Sequence, residues 1–275
     1  MLQAADVSFA YDDEPVLRGV SLAVPAGGFV GILGPNGSGK TTLLRLLAGT
    51  LRAPRGMVTF EGADIGSFSR SSLAQRLAVV PQETHLAFDY TVLEVVLMGR
   101  YPHLGTFQVE GPADLDIARD ALAATGTRQF EDRLFTTLSG GEKQRVIIAA
   151  ALAQLARSAS EPQVTGSSVL LLDEPTTALD LAYQLEVVSL LRDLHRRRGI
   201  TVVVSTHDLN FAATVCSSLA LLREGQVLAY GATSDVLTKL NIAKLYGVEA
   251  DVALHPTARH IVVVPLGRIQ SRTDP

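Results

Sequence analysis

Residues 34–41 read Gly34-Pro35-Asn36-Gly37-Ser38-Gly39-Lys40-Thr41, with the apolar stretch Phe29–Leu33 before them and a helical pattern over 41–48 after them. A chain that passes from a buried strand through a glycine-rich turn into a helix has few fold classes open to it. The glycines let backbone N–H groups face a ligand, and the helix start adds the positive end of its dipole. The spacing G-x-x-x-x-G-K-[ST] is the Walker A pattern. In it the loop wraps phosphates, the lysine reaches the β- and γ-phosphates, and the next hydroxyl meets Mg²⁺. Gly34, Pro35, Asn36, Gly37, Ser38, Gly39, Lys40, Thr41 and Thr42 are therefore candidate nucleotide-binding residues, and Thr41 is also a candidate metal ligand.

A second stretch offers similar chemistry. Leu138-Ser139-Gly140-Gly141-Glu142 opens a long helical pattern. Ser139 stands three residues before Glu142, which is the capping-box spacing. Gly140 and Gly141 leave the amides of that first turn uncovered, so this helix start is also an anion site.

Three apolar strands end in chemically useful groups. Val169-Leu170-Leu171-Leu172 runs into Asp173-Glu174. Ligands of open α/β sheets bind outside the carboxyl ends of strands, and unpaired carboxylates beside a core are costly. Asp173 suits a Mg²⁺ shell, and Glu174 suits a general base acting on water. The stretch 201–205 ends in Thr206-His207-Asp208, which puts His207 at the same sheet edge as Lys40 and Glu174. Gln82, just past Leu77–Val80, is placed by the same logic.

Composition narrows the function classes. A chain of 275 residues that is 47% apolar can hold one large domain or two small ones around a packed core. A net charge of −4 argues against a nucleic-acid partner, and Arg196-Arg197-Arg198 reads as the solvated end of a helix. Cys216 is the single cysteine, so an intrachain disulfide and a cysteine-based metal site are excluded, which fits a reducing compartment. The start MLQAADVSFAYDDE lacks the charged-then-apolar layout of a secretory signal. The longest apolar run, 146–153, is well short of the ~20 residues of a membrane helix.

Period-two alternation at 7–11 and 20–24 predicts strands, with a turn at 25–28. From about 91 to 156 the pattern is helical. Leu115, Ala118 and Leu122 share one face there, with Pro112 and Gly126 as start and stop signals. A polar loop is expected at 161–168. Strands at 169–172 and 201–205 around a helix at 181–197 give a parallel β-α-β layout. A further helix is expected at 234–246, capped by Thr233 or Ser234 and closed by Gly247. A hairpin is expected over 252–265. His255 and His260 flank its turn and read as surface histidines.

In this order the motifs resemble the nucleotide-binding subunit of an ABC transporter over nearly the whole chain. GPNGSGKT resembles Walker A, Gln82 the Q-loop glutamine, LSGGE the ABC signature, and LLLDE Walker B with its catalytic glutamate. Ala178-Leu179-Asp180 is similar to the D-loop, which adds Asp180 to the nucleotide-binding candidates, His207 to the switch histidine, and Tyr11 to the aromatic that stacks on adenine. The resemblance implies an α/β fold: a P-loop NTPase ABC cassette with a RecA-like parallel-sheet core, an N-terminal antiparallel β subdomain and an inserted α-helical subdomain. Residues 1–250 would be the ATP-binding domain, with the helical part at about 86–157, and 251–275 a short tail. It implies ATP and Mg²⁺ as cofactors. It also implies a second copy packed head to tail, so that each ATP touches Walker A of one subunit and Ser139, Gly140 and Gly141 of the other. Asp173, Thr41 and Gln82 would serve the metal; Glu174, His207 and Gln82 would be the catalytic residues, Glu174 polarising the attacking water, Gln82 sensing that water as well as the metal, and His207 contacting the γ-phosphate. Integral-membrane permease subunits, and through them a substrate-binding protein, are the implied partners. The location would be peripheral, on the cytoplasmic face of the inner membrane.

The same engine drives soluble ABC ATPases and exporters. Translation-type members carry two cassettes on one chain, whereas this chain has one. Repair-type members carry long insertions, whereas Lys40 to Ser139 spans 139 − 40 = 99 residues with no heptad run. A single-cassette ATPase of the iron–sulfur assembly type and an exporter ATPase remain as alternatives. The stretch 91–103, ending V-x-x-G-R-x-P-H, resembles bacterial importers for iron–siderophore complexes, haem and cobalamin. Asp208-Leu209-Asn210 and the stretch 241–246 resemble the same group, and the polar insertion 158–168 resembles haem-importer ATPases. The expected function is the ATP-hydrolysing subunit of a membrane importer for haem or another iron chelate, with cobalamin as a further cargo of the group.

Overall fold

The computed structural model describes residues 1–157, 168–177 and 179–269, apart from the side chain of Arg198. Ala178 and all of the expected insertion except Ser168 lie outside them. The chain divides into two compact units, one of Met1–Asp64 with Val203–Pro275 and one of Ile65–Val202.

The first unit opens with a hairpin. Leu2–Tyr11 and Glu14–Val24 pair antiparallel, Leu2 opposite Val24 and Tyr11 opposite Glu14. Both strands are longer than the alternation suggested. The register shifts between Ala4 and Val7 and again between Val7 and Phe9, and each shift breaks the period-two pattern on which a sequence reading depends. In the two-residue turn Asp12 takes φ 51°, a conformation that aspartate tolerates. Arg55–Phe60 pairs with the far side of Leu2–Tyr11, and Ala63–Asp64 completes the sheet. Leu2, Val7, Leu17, Val20, Leu22 and Phe60 are buried.

Phe29–Leu33 belongs to a second sheet and is buried along its whole length. It runs parallel to Ser218–Arg223, which pairs antiparallel with Gln226–Ala232. Such a strand reads as an unbroken apolar run rather than as alternation. Helix Lys40–Leu47 follows it and buries Leu43, Leu44, Leu46 and Leu47.

The end of this unit departs from expectation. The helix expected over 234–246 is two helices, Thr233–Val236 and Lys239–Tyr246. Leu237 leaves the helical region at ψ 79°, and Thr238, not Thr233 or Ser234, caps the second helix by accepting the Asn241 N–H at 3.2 Å. A hydroxyl residue inside a helical pattern offers the backbone an alternative partner, and here that alternative prevails. Gly247 closes the helix at φ 68°, as expected. The tail hairpin joins Val248–Leu254 to Ile261–Arg268, longer at both ends than the reading over 252–265.

In the second unit Leu77–Val80 runs parallel to Val169–Asp173, with Leu77 opposite Val169 and Val80 opposite Leu172. The helical stretch comprises Val92–Leu97, Pro112–Ala124 and Gly140–Leu155, with short 3₁₀ turns between them. Pro112 takes the first turn of its helix and Gly126 follows its end at φ 65°. Helix Leu181–Arg198 is capped by Asp180 and closed by Gly199. Among the described residues no helix is long and apolar enough to cross a membrane.

Candidate nucleotide site

The glycine-rich loop leaves the buried strand Phe29–Leu33 at Gly34, whose N–H donates to the Thr206 carbonyl at 3.2 Å. That bond ties the loop to the strand end that carries His207. A Cβ on Gly34 would stand 2.2 Å from the Leu222 carbonyl oxygen and 2.7 Å from Ser38 Oγ, so only glycine fits. Gly37 and Gly39 both take positive φ, and Gly39 is the N-cap of helix Lys40–Leu47 without any side-chain cap. The first turn holds no acidic residue, so its amides and dipole face the loop uncompensated by a carboxylate. Lys40 is buried, and its Nζ donates to the Gly34 carbonyl at 2.9 Å and the Pro35 carbonyl at 3.0 Å. A cation is thus held inside a ring of backbone.

Ser38 Oγ is buried in that ring and has no hydrogen-bond partner among the described residues. A buried hydroxyl in this state costs about 1–3 kcal/mol, which an anionic oxygen in the loop would recover. The loop therefore fits a phosphate by shape, by charge and by its one orphaned polar atom. Thr41 is half-buried and Thr42 is buried beside Lys40. Tyr11, at the end of its strand, is 42% exposed and leans edge-on against Phe9 at 4.9 Å. Arg45 Nη1 donates to its hydroxyl at 3.4 Å. His207 is exposed, directly after the buried strand end at Thr206.

The second unit carries the other half of the candidate set. Asp173 and Glu174 are both buried where Val169–Asp173 ends. Glu174 has φ 46°, left-handed backbone for a residue that seldom adopts it. Thr177 Oγ1 donates to Glu174 Oε2 at 2.9 Å and holds the carboxylate in place. The parallel pairing ends at Val80 opposite Leu172, and Gln82 follows its strand by two residues just as Glu174 follows Leu172 by two. Gln82 itself is exposed.

The signature helix starts as its spacing predicts. Ser139 Oγ accepts the Glu142 N–H at 3.3 Å, and Glu142 Oε2 accepts the Ser139 N–H at 2.8 Å. That second bond, chiefly, holds the Glu142 carboxyl below its usual range. Two amides of the first turn, those of Gly140 and Gly141, have no intrahelical acceptor. A Cβ on Gly141 would lie 2.4 Å from Tyr183 Cγ, so the glycine lets the Tyr183 ring close over the helix start. Asp180 Oδ1 accepts the Tyr183 N–H at 3.1 Å and fixes that neighbour.

Sequence reasoning missed Thr177 and Tyr183. Thr177 had a local signal, a hydroxyl three residues beyond a strand-end carboxylate. Tyr183 had none. Its contact with Gly141 joins distant parts of the chain, and no spacing reveals it.

The ABC transporter family model matches residues 17–177. The hemin import ATP-binding protein of Bordetella pertussis is 42% identical over 256 residues, covering 93% of this chain and 95% of that protein. The ferric enterobactin transport ATP-binding protein of Escherichia coli is 36% identical, covering 99% of this chain and 96% of that protein. Among solved structures, one described as an inward-facing metal-chelate type ABC transporter matches at TM-score 0.82 and 32% identity, covering 96% of each chain. A bacterial ABC transporter cassette solved as a dimer matches at TM-score 0.71 and 28% identity, covering 85% of this chain and 99% of that one. The phosphate loop, the two strand-end carboxylates and the signature helix start now have one explanation: the chain belongs to the ABC transporter family, as an ATP-binding ATPase subunit.

Proposed function

We propose that this chain is the ATP-hydrolysing subunit of a membrane importer for haem or another iron chelate. The observation that carries the cargo class is the match to a hemin import protein over nearly the full length of both chains. The ferric enterobactin relative and the metal-chelate transporter widen that class to iron chelates in general. Residues 1–250 form the cassette, with the helical part at about 86–157 inserted and 251–275 as its tail. Bound to a permease, the chain lies peripherally on the cytoplasmic face of the inner membrane.

In this reading Tyr11 stacks on adenine, and the loop from Gly34 to Gly39, with Lys40, Thr41 and Thr42, holds the phosphates. Thr41, Asp173 and Gln82 would supply donors to Mg²⁺, which protein sites usually bind through one or two carboxylates plus substrate phosphates. When bound, the metal neutralises charge on the β- and γ-phosphates. Glu174, oriented by Thr177, takes the proton of the attacking water, and His207 contacts the γ-phosphate. Ser139, Gly140 and Gly141 serve the nucleotide of a second copy packed head to tail, with Asp180 bracing the start of the neighbouring helix.

Two experiments test this. The chain copurified with its membrane partner and placed in liposomes is expected to drive ATP-dependent accumulation of haem. Uptake of a ferric siderophore or cobalamin alone would correct the cargo, and copurification with a soluble partner alone would overturn transport. The dimer has its own test. In a Glu174→Gln background, Mg-ATP is expected to shift the chain to a dimer on gel filtration. Ser139→Arg puts a bulky cation at the positive end of a helix and removes its cap. That variant is expected to stay monomeric while still binding a fluorescent ATP analogue. A dimer peak from it would take residues 139–141 out of the interface.

A further inference from the structure

His207 sits on a short segment that the C-terminal part of the chain grips from two sides. Tyr246 Oη donates to the His207 carbonyl at 3.1 Å. Three residues on, Asn210 spends both ends of its amide on the tail hairpin. Its Nδ2 donates to the Val263 carbonyl at 3.1 Å, and its Oδ1 accepts the Val263 N–H at 2.9 Å. That pair of bonds is what a neighbouring strand would give Val263.

The residues between are fixed as well. The Asp208 N–H donates to Thr206 Oγ1 at 3.0 Å, and Asp208 Oδ1 accepts the N–H groups of Asn210 and Phe211 at 2.8 and 3.0 Å. Leu209 packs against a cluster of Ile242, Ala250 and Val263, and Tyr246 packs against the same cluster. Lys239 Nζ pairs with Asp251 and ties helix Lys239–Tyr246 to the hairpin.

Apolar packing alone would dock this hairpin. The polar bonds do something more specific, because they end on the His207 peptide and on the first turn of helix Leu209–Val215 behind it. The His207 imidazole is exposed, so its reach depends on where its backbone is held. Displacing a catalytic group by about 1 Å can cost 10²-fold in rate. The segments 208–210 and 241–246, which both resemble the importer group, are the two halves of this grip.

We propose that Tyr246 and Asn210 are positioning residues for His207, through which the C-terminal hairpin sets the rate of ATP hydrolysis and not nucleotide affinity. The inference rests on the proposed contact of His207 with the γ-phosphate.

The test is a mutant cycle in the full-length chain. Tyr246→Phe removes only the hydroxyl and keeps the ring in the cluster. Asn210→Ala keeps the apolar docking. Each is expected to lower kcat for ATP about threefold to tenfold, the worth of one or two hydrogen bonds, with KM for ATP within about twofold and the chain still fully folded at the assay temperature. In a His207→Ala background neither is expected to lower the rate further, since residues that act through one another are not additive. If His207→Ala itself hydrolyses ATP at the parent rate, the role of His207 falls and the positioning idea falls with it. If His207→Ala is impaired but Tyr246→Phe and Asn210→Ala are not, positioning alone is overturned. A further additive loss in the His207→Ala background, or a fall in kcat that only tracks a fall in Tm, overturns it as well.

Discussion

Glu174→Gln is expected to leave ATP binding intact and to slow hydrolysis by about 10²- to 10⁴-fold, the usual worth of a general base. Glutamine has the size and shape of glutamate, and its amide oxygen can still accept from Thr177 Oγ1, which now bonds Glu174 Oε2 at 2.9 Å. What it loses is the capacity to take a proton. The surroundings favour that assignment. Glu174 is only 8% exposed, follows a buried strand and sits at φ 46°. Left-handed backbone at a non-glycine residue costs about 1–3 kcal/mol and persists where the surrounding structure enforces it. Single-turnover phosphate release, set beside fluorescent-nucleotide binding, separates the two effects. A variant that released phosphate at the parent rate would remove Glu174 from the chemistry. One that failed to bind ATP would show that the residue holds the loop rather than the water.

What the sequence disclosed was whatever a short stretch encodes by itself. The strand, glycine loop and helix around Lys40 are contiguous, so spacing alone recovers them. The reciprocal bonds of Ser139 and Glu142 lie three residues apart, and both form as the spacing implied. Where two local signals competed, the reading failed. The stretch 233–238 offers hydroxyls at Thr233, Ser234 and Thr238, and the last of them caps the second helix. Bulges hid the length of the first hairpin, because a single inserted residue inverts the alternation. Long-range contacts left no trace at all. Tyr246 reaches His207 across 39 residues, and Asn210 reaches Val263 across 53. The stretch ending Gly99-Arg100-Tyr101-Pro102-His103 was legible as a resemblance but not in its physical role. Tyr101 is exposed, while Arg100 and His103 turn inward and bond the end of helix Gly140–Leu155.

That inward turn leads to the second large expected effect. Arg100→Met is expected to destabilise the protein by about 3–5 kcal/mol, the usual cost of breaking a buried ion pair from one side. Arg100 is 1% exposed. Its Nε donates to Asp114 Oδ1 at 2.9 Å, and its Nη1 donates to the carbonyls of Ala153 and Ala156 at 2.8 and 2.5 Å. Those carbonyls belong to the last turn of Gly140–Leu155 and to its C-cap, where intrahelical donors run out and a cation meets the negative end of the dipole. Methionine fills the space but leaves the Asp114 carboxylate, which is only 13% exposed, without its cation and with the Gly111 N–H at 3.0 Å as its remaining bond. Removing both charges, with Arg100→Met and Asp114→Asn together, is expected to cost less than Arg100→Met alone. The effect has a pH signature. Burial pushes the Asp114 carboxyl up, but the Gly111 N–H and Arg100 outweigh it and hold the group below the usual carboxylate range. A depressed folded-state pKa adds stability above the unfolded value and loses it as pH falls through the folded one. The gap between parent and variant should therefore be widest near neutrality and narrow below about pH 4. Urea unfolding at pH 7 and at pH 3.5 measures both points. A gap under about 1 kcal/mol at pH 7 would rank Arg100 with ordinary surface pairs. A gap that stayed constant into acid would place its worth in the two helix-end carbonyls rather than in Asp114.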